Sequence, residues 1–182
     1  MGNYTNIGRE YRHSNPEKNM TNPTPTIIFT MGLPAAGKST WVGQNLAATH
    51  NIIDADAVKE SHPHYDPEHP ELLHGWSKEI TELMWVNALD AGHGLWCIDG
   101  TGTNAEKMVR KMNQAAAAGY EIALVYVRCT METSLERNQG RARKVPEHII
   151  REKALDVATS FSIVSDYIKR HNGKITIIDT DA

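Results

Sequence analysis

The stretch Gly32-Leu33-Pro34-Ala35-Ala36-Gly37-Lys38-Ser39 decides the fold. It follows a short β-branched run at residues 26–31 and precedes a predicted helix at residues 39–49. The spacing is G-x4-G-K-[ST], and the order of strand, glycine loop and helix is the context in which this spacing binds phosphate. Glycines let backbone N–H groups turn toward a phosphate, and the helix N-terminus adds positive potential. The sequence therefore predicts a phosphate-binding loop (P-loop).

The loop predicts ATP and Mg²⁺ as bound cofactors. Lys38 is expected to span the β- and γ-phosphate oxygens, and Ser39 is expected to ligate Mg²⁺. The residues predicted to contact the nucleotide are Gly32, Pro34, Ala35, Ala36, Gly37, Lys38, Ser39 and Thr40.

Outward from the loop, the chain alternates short apolar runs with segments of helical periodicity. Further strands are predicted at residues 51–54, 95–99, 121–128 and 174–178, and further helices at 71–91, 104–118, 131–138 and 146–171, the last as one helix or a pair. Residues 62–70 contain three prolines and are predicted to form a loop. Strands alternating with helices indicate an α/β fold, a five-stranded parallel sheet sandwiched by helices. The glycine loop after the first strand makes the P-loop NTPase fold the expected version of it.

The composition of the chain predicts its class and its domain organisation. The chain has 182 residues, 40% of them hydrophobic and 23% charged, which excludes collagenous, coiled-coil and wholly disordered classes. Residues 1–25 are polar and rich in Asn, Thr and Pro, so we predict a flexible arm there and a single domain at residues 26–182. Cys97 and Cys129 lie in apolar runs and are predicted to be core residues.

No run approaches the roughly 18 apolar residues that a membrane helix needs. We therefore expect no membrane partner and a cytoplasmic protein, in the host cytoplasm if a phage encodes it. The charge is uneven: residues 51–100 hold ten Asp or Glu against two Lys, whereas residues 128–153 hold seven Lys or Arg against four Glu.

Three carboxylates follow predicted strands and fall where ligands bind in parallel sheets, beyond the carboxyl ends of the strands. A kinase that acts on a hydroxyl needs a carboxylate to accept the proton, and Asp56 is the predicted base. Asp54 is assigned to substrate contact and Asp99 to the metal, with Thr101 as a further substrate contact. The alternative for Asp54 and Asp56 is a role as helix caps.

A basic segment, residues 137–144, is predicted to form a small Arg-rich lid. Phosphoryl transfer spreads negative charge over the γ-phosphate oxygens, and guanidinium groups neutralise that charge. Arg137 and Arg143 are therefore predicted to be catalytic, and Arg141 is predicted to bind nucleotide. A solvated basic loop is the alternative. The histidines at 62, 64, 69 and 74 match no common zinc spacing, and His62 is predicted to contact substrate.

These motifs resemble two groups of P-loop kinases. Gly-x-Pro-x-x-Gly-Lys-Ser-Thr-Trp at residues 32–41, Asp-Ala-Asp at 54–56, Lys59, Asn104 and the segment from Arg137 to Val145-Pro146 resemble the 5′-kinase domain of phage polynucleotide kinase. His62-Pro63-His64-Tyr65-Asp66 and Ile98-Asp99-Gly100-Thr101 are more similar to zeta toxins, which phosphorylate UDP-activated amino sugars.

The resemblance implies roles that agree with those from the residues. In both groups the acid that matches Asp56 activates the acceptor hydroxyl, and arginines matching residues 137–143 contact ATP. The arginine that binds acceptor phosphate in polynucleotide kinase is matched by Lys59, which is therefore a candidate substrate contact. The Asp-Thr of that group after the third strand is here Gly100-Thr101.

The function expected from the sequence is an ATP-dependent kinase acting on a hydroxyl of a nucleic-acid acceptor. The acceptor is either a hydroxymethyl group of 5-hydroxymethyluracil in phage DNA, as in phage enzymes resembling polynucleotide kinase, or a polynucleotide 5′-OH. DNA is preferred over a nucleotide sugar. The alternatives are a zeta-like UDP-N-acetylglucosamine kinase, which implies an antitoxin partner, and a non-catalytic module gated by nucleotide.

Overall fold

A computed structural model describes residues 23–181. The strands are β1 (Thr26–Met31), β2 (Asn51–Asp54), β3 (Leu95–Asp99), β4 (Glu121–Arg128) and β5 (Lys174–Asp179). The helices are α1 (Lys38–Asn45), α2 (Ala55–Glu60), α3 (His74–Ala91), α4 (Ala105–Ala117), α5 (Met131–Gln139) and α6 (Glu147–Arg170), with a 3₁₀ turn at Pro70–Leu73. Most of the predicted arm lies outside the described residues, so the division at residue 25 stays a prediction.

The five strands form one parallel sheet in the order β2-β3-β1-β4-β5. The predicted α/β architecture is confirmed. Because β1 lies at the centre, the loop that follows it emerges between the carboxyl ends of β3 and β4. Ligands of open parallel sheets bind at this edge.

Alternate residues of β1 face opposite layers of helices, as the two-residue period of a strand requires. Ile27, Phe29 and Met31 belong to the main core, in which α3, α4 and α6 pack together. On the other side Cys97 packs with Val42 of α1 and with Leu46, which follows that helix, in a smaller cluster. The sheet is thus covered by helices on both faces.

Both cysteines are free, and Cys97 is fully buried, as predicted for a core residue. Burial raises the pKa of the Cys97 thiol to about 12, so this thiol stays protonated at neutral pH. Cys129, after β4, is only partly buried.

The structure differs from the sequence-based elements in α1, in the start of α3 and in α2. The predicted helix at 39–49 begins one residue earlier and ends at Asn45, and the helix predicted from residue 71 is a 3₁₀ turn followed by α3. Of the two alternatives predicted for residues 146–171, one helix or a pair, the structure has one helix, α6. Helix α2 was not predicted, because six residues are too few to establish helical periodicity. Within residues 23–181, no helix combines the length and apolar character needed to cross a membrane.

Candidate active site

The loop between β1 and α1 depends on two glycines. Gly32 has φ of 146°, and a Cβ placed on it would lie 2.0 Å from the carbonyl oxygen of Val127 in β4, so only glycine fits. Gly37, immediately before α1, has φ of 93°, in the left-handed region that favours glycine. Ala35 shares this region with φ of 57° although it carries a side chain. The backbone conformation is therefore that of a tight anion-binding turn.

Two hydroxyl side chains from other elements bind carbonyl groups of the loop. Ser134 of α5 is fully buried and donates a hydrogen bond to the carbonyl of Pro34 at 2.8 Å. Thr180, after β5, donates to the carbonyl of Ala36 at 3.0 Å. These contacts tie the loop to α5 and to the residue that follows β5. Thr40, one of the predicted nucleotide contacts, is exposed in the first turn of α1.

Lys38 folds back on the loop that precedes it. Its Nζ donates to the carbonyls of Gly32 at 2.9 Å and Leu33 at 2.7 Å. Burial lowers the pKa of Lys38 to about 8; the nearby charge of Asp99 opposes the shift, and that of Arg141 adds to it. An anion bound in the loop would act as a counter-charge for this ammonium group.

Asp99, at the end of β3, is held by two hydroxyl groups. Thr30, only 2% exposed, donates to Asp99 Oδ1 at 2.6 Å and accepts a hydrogen bond from the Gly100 amide at 3.0 Å. Ser39 donates to Asp99 Oδ2 at 3.2 Å. A hydroxyl and a carboxylate oxygen are hard ligands of the kind that Mg²⁺ prefers, so the residues present fit the metal that the sequence implies.

Asp54, at the end of β2, is the register partner of Asp99. Its carboxylate accepts a hydrogen bond from the Asp56 amide at 2.8 Å and so caps the N-terminus of α2, which is the alternative raised for it above. Burial raises the pKa of Asp54, and the charges of Asp99 and Asp56 add to the rise. The cap places Asp56 beside the strand ends that carry the other carboxylates.

Asp56, in the first turn of α2, accepts two cationic hydrogen bonds on the same oxygen. Lys59 Nζ lies 3.0 Å and Arg143 Nη1 3.1 Å from Asp56 Oδ1. Burial alone would raise the pKa of Asp56, but the hydrogen bonds and charges of Lys59 and Arg143 outweigh it and lower the pKa below its usual value. Asp56 is therefore ionised at neutral pH and exposed enough to meet an acceptor.

The lid reaches both parts of the site. Arg143 bonds to Asp56 across 87 positions of the sequence, and the charge of Arg141 acts on Lys38. Asn138 latches the loop that carries both arginines: its amide donates to the Val145 carbonyl at 2.8 Å and accepts from the Val145 amide at 2.9 Å. Arg137 instead donates to Thr180, to its hydroxyl at 3.1 Å and its carbonyl at 2.5 Å.

The remaining predicted substrate residues lie around this site. The Thr101 carbonyl accepts a hydrogen bond from the Gly32 amide at 3.1 Å, so its backbone supports the loop. His62 packs edge-on against Trp76 with ring centroids 4.6 Å apart. Lys59 is only 5% exposed. The structure thus brings loop, carboxylates and lid together, while the roles assigned to the single residues stay predictions.

The residues at the site that the sequence did not predict include Ser134, described above, and Thr30, Thr180 and Lys153. Thr30 gives no signal because it reads as an ordinary β-branched strand residue. Thr180 contacts both the loop and Arg137, and only its place after the last strand suggests a contact. The charge of Lys153, in α6, lowers the pKa of Lys38 from a position more than a hundred residues away in sequence.

A family model described as an AAA domain, AAA_33, matches residues 27–161. Among solved structures, AvrRxo1-ORF1:AvrRxo1-ORF2 with sulphate ions matches 86% of this chain and 55% of its own, with a TM-score of 0.71 and 14% identity. The same pair crystallised with ATP gives a TM-score of 0.70.

Two further structures belong to systems with different activities. A chain of the PezAT toxin–antitoxin system of Streptococcus pneumoniae matches with a TM-score of 0.57 and 18% identity, over 86% of this chain and 68% of its own. A chain of the Pnkp1/Rnl/Hen1 RNA repair complex gives 0.58 and 14%, over 80% and 48%. The chain spans about half the length of the AvrRxo1 chain. The predicted P-loop kinase-like fold is confirmed.

Proposed function

The chain belongs to the AAA_33 family, and we propose that it is an ATP- and Mg²⁺-dependent kinase that phosphorylates a hydroxyl group of a nucleotide-containing acceptor. The observation that carries the proposal is the convergence of the loop, the Asp99 pair with Ser39, and Asp56 at one edge of the sheet.

The proposed reaction moves one proton and one phosphoryl group. Asp56 accepts the proton of the acceptor hydroxyl, the freed oxygen bonds to the γ-phosphorus, and the bond to the β–γ bridging oxygen breaks to release ADP. Lys38 and the lid arginines Arg137, Arg141 and Arg143 neutralise the phosphate oxygens. Mg²⁺, held by Ser39 and Asp99, would supply further charge neutralisation when bound.

The first choice of acceptor is nucleic acid, as 5-hydroxymethyluracil in DNA or a polynucleotide 5′-OH. Similarity to a chain of an RNA repair complex supports this choice. The alternative is a UDP-N-acetylglucosamine kinase with an antitoxin as partner. It is favoured by His62 packed against Trp76 at the end of α2, in the segment that resembles zeta toxins, and by similarity to the PezAT system.

Incubation of the pure protein with γ-labelled ATP and three acceptors tests the proposal. The acceptors are hydroxymethylated duplex DNA, a 5′-OH oligonucleotide and UDP-N-acetylglucosamine. Label on either nucleic acid supports the first choice, and label on the sugar alone overturns it in favour of the alternative. Transfer to none of them, by protein that binds ATP, would contradict the kinase and favour a non-catalytic module.

A further inference from the structure

Lys59 is a buried cation in a part of the molecule where a surface lysine is expected. It lies one helical turn after Asp56 on α2, and its side chain is 6% exposed, against 58% for Asp56. Lysine is almost never fully buried unless it is paired, because an unpaired ammonium loses its hydration without compensation. The burial of Lys59 therefore depends on Asp56.

The two cations on Asp56 differ in what they can do. Lys59 belongs to the same short helix as Asp56, and α2 packs against α3. Arg143 comes from the lid and its side chain is 32% exposed. Lys59 thus reaches the carboxylate from its own helix, whereas Arg143 reaches it from a segment 87 positions away in the sequence.

Both cations meet the same carboxylate oxygen, Oδ1. A carboxylate held through one oxygen has a defined orientation and presents the other oxygen in a defined direction. General base catalysis requires this, because the base must lie within hydrogen-bond reach of the proton that it accepts.

We infer that Lys59 is a positioning residue for the proposed reaction: its ammonium holds Asp56 Oδ1 so that Oδ2 faces the acceptor hydroxyl, and Lys59 itself does not touch the acceptor. The inference rests on the proposed function. It replaces the acceptor-phosphate contact that the resemblance to polynucleotide kinase implies for this position. A phosphate beside the reacting hydroxyl of an acceptor would therefore form no ion pair with Lys59.

Steady-state kinetics of Lys59→Met separate the two roles, because methionine keeps the length of the side chain and suits a buried position. The acceptor is whichever of the three acceptors above the wild-type protein phosphorylates. We expect kcat to fall about 10- to 100-fold, with the KM for the acceptor unchanged, since misplacement of a reacting group by about 1 Å costs that much. Lys78→Met, which alters an exposed lysine of α3, should leave both constants unchanged.

The contrary result is a raised KM with kcat preserved, which would place Lys59 on the acceptor and overturn the inference. The double variant Asp56→Asn with Lys59→Met gives a second criterion. If Lys59 acts through Asp56, adding Lys59→Met to Asp56→Asn costs less than twofold in residual turnover. Turnover is expressed per folded molecule, counted by the stoichiometry of ATP binding, so that a folding defect of Lys59→Met does not enter the comparison. Losses per folded molecule that multiply would overturn the inference.

A thermal denaturation cycle needs no acceptor and separates failure of this inference from failure of the proposed function. Asp56→Ala strands the ammonium of Lys59, so we expect it to lower the melting temperature by about 5 °C more in the wild type than in Lys59→Met. Additive shifts would overturn the inference. Coupled shifts in a protein that transfers phosphate to nothing would support the pairing and overturn the kinase.

Discussion

At the scale of single residues, burial controls the protonation of Lys38 in the phosphate-binding loop. Burial lowers its pKa from 10.5 to about 8, so above pH 8 the nucleotide-free protein carries a mostly neutral Lys38. A bound triphosphate favours the ammonium form and raises this pKa again. Binding of ATP above pH 8 should therefore take up a proton.

Isothermal titration of ATP with EDTA present, in buffers of different ionisation enthalpy, measures this uptake. We expect close to no uptake by Lys38 at pH 7, partial uptake at pH 8 to 9, and an ATP affinity that falls by up to about tenfold per pH unit above pH 8. Equal affinity at pH 7 and pH 9 would show that Lys38 does not meet the phosphates.

Thr30 orients Asp99, so a change of Thr30 should alter the affinity for Mg²⁺. Thr30→Val keeps the shape of the side chain but removes the hydroxyl that donates to Asp99. Groups that orient a metal ligand typically contribute 10- to 100-fold in metal affinity. We expect the Mg²⁺ concentration for half-maximal activity to rise about tenfold. The matched control is Thr26→Val at the far end of β1; an equal shift there would contradict a specific effect.

At the scale of elements, the lid depends on one side chain. Asn138 is 7% exposed and closes the loop after α5 through both hydrogen bonds to Val145. Asn138→Ala leaves these backbone groups unpaired and should cost about 1–3 kcal/mol in the free energy of unfolding, measured with denaturant. Trypsin should also cut this variant at Arg141 or Arg143 faster than it cuts the wild type. The control Asn87→Ala, on the exposed face of α3, should change neither the free energy of unfolding nor the rate of cleavage. An unchanged rate of cleavage in Asn138→Ala would show that Asn138 does not hold the loop.

The elements also show where sequence reasoning succeeds and where it fails. The strands were predictable because each is a short apolar run. Three of them end in an aspartate and β1 is followed by Gly32, whereas β4 ends at Arg128. Helix α2 was not predictable, nor was the burial of Lys59, since exposure is the default for a lysine. The pair of Arg143 and Asp56 joins distant segments, and local patterns carry no information about such contacts.

At the scale of the whole molecule, the order of the strands in the sheet could not be predicted from the sequence. Alternating strands and helices imply a parallel sheet, but they do not say that β3 lies between β1 and β2. That insertion makes Asp99 the neighbour of both Ser39 and Asp54. The candidate site was predicted as a set of residue types, whereas its contacts follow from the topology.

Nucleotide binding should stabilise the whole domain through the loop. ATP with Mg²⁺ at a hundred times its dissociation constant adds about 2.7 kcal/mol, which corresponds to a rise of roughly 5–10 °C in melting temperature for a domain of this size. Lys38→Met should lose most of this shift, and Lys78→Met should retain it. An equal shift in Lys38→Met would place the nucleotide elsewhere.

The central claim is that Asp56 acts on the acceptor while the loop holds the triphosphate. Its most direct test is Asp56→Asn, with ATP affinity measured by titration and phosphoryl transfer measured in single turnover. We predict an ATP affinity within about threefold of the wild type and transfer reduced by at least about a hundredfold, since general base catalysis contributes 10²- to 10⁴-fold. Transfer at the wild-type rate by this variant would contradict the account.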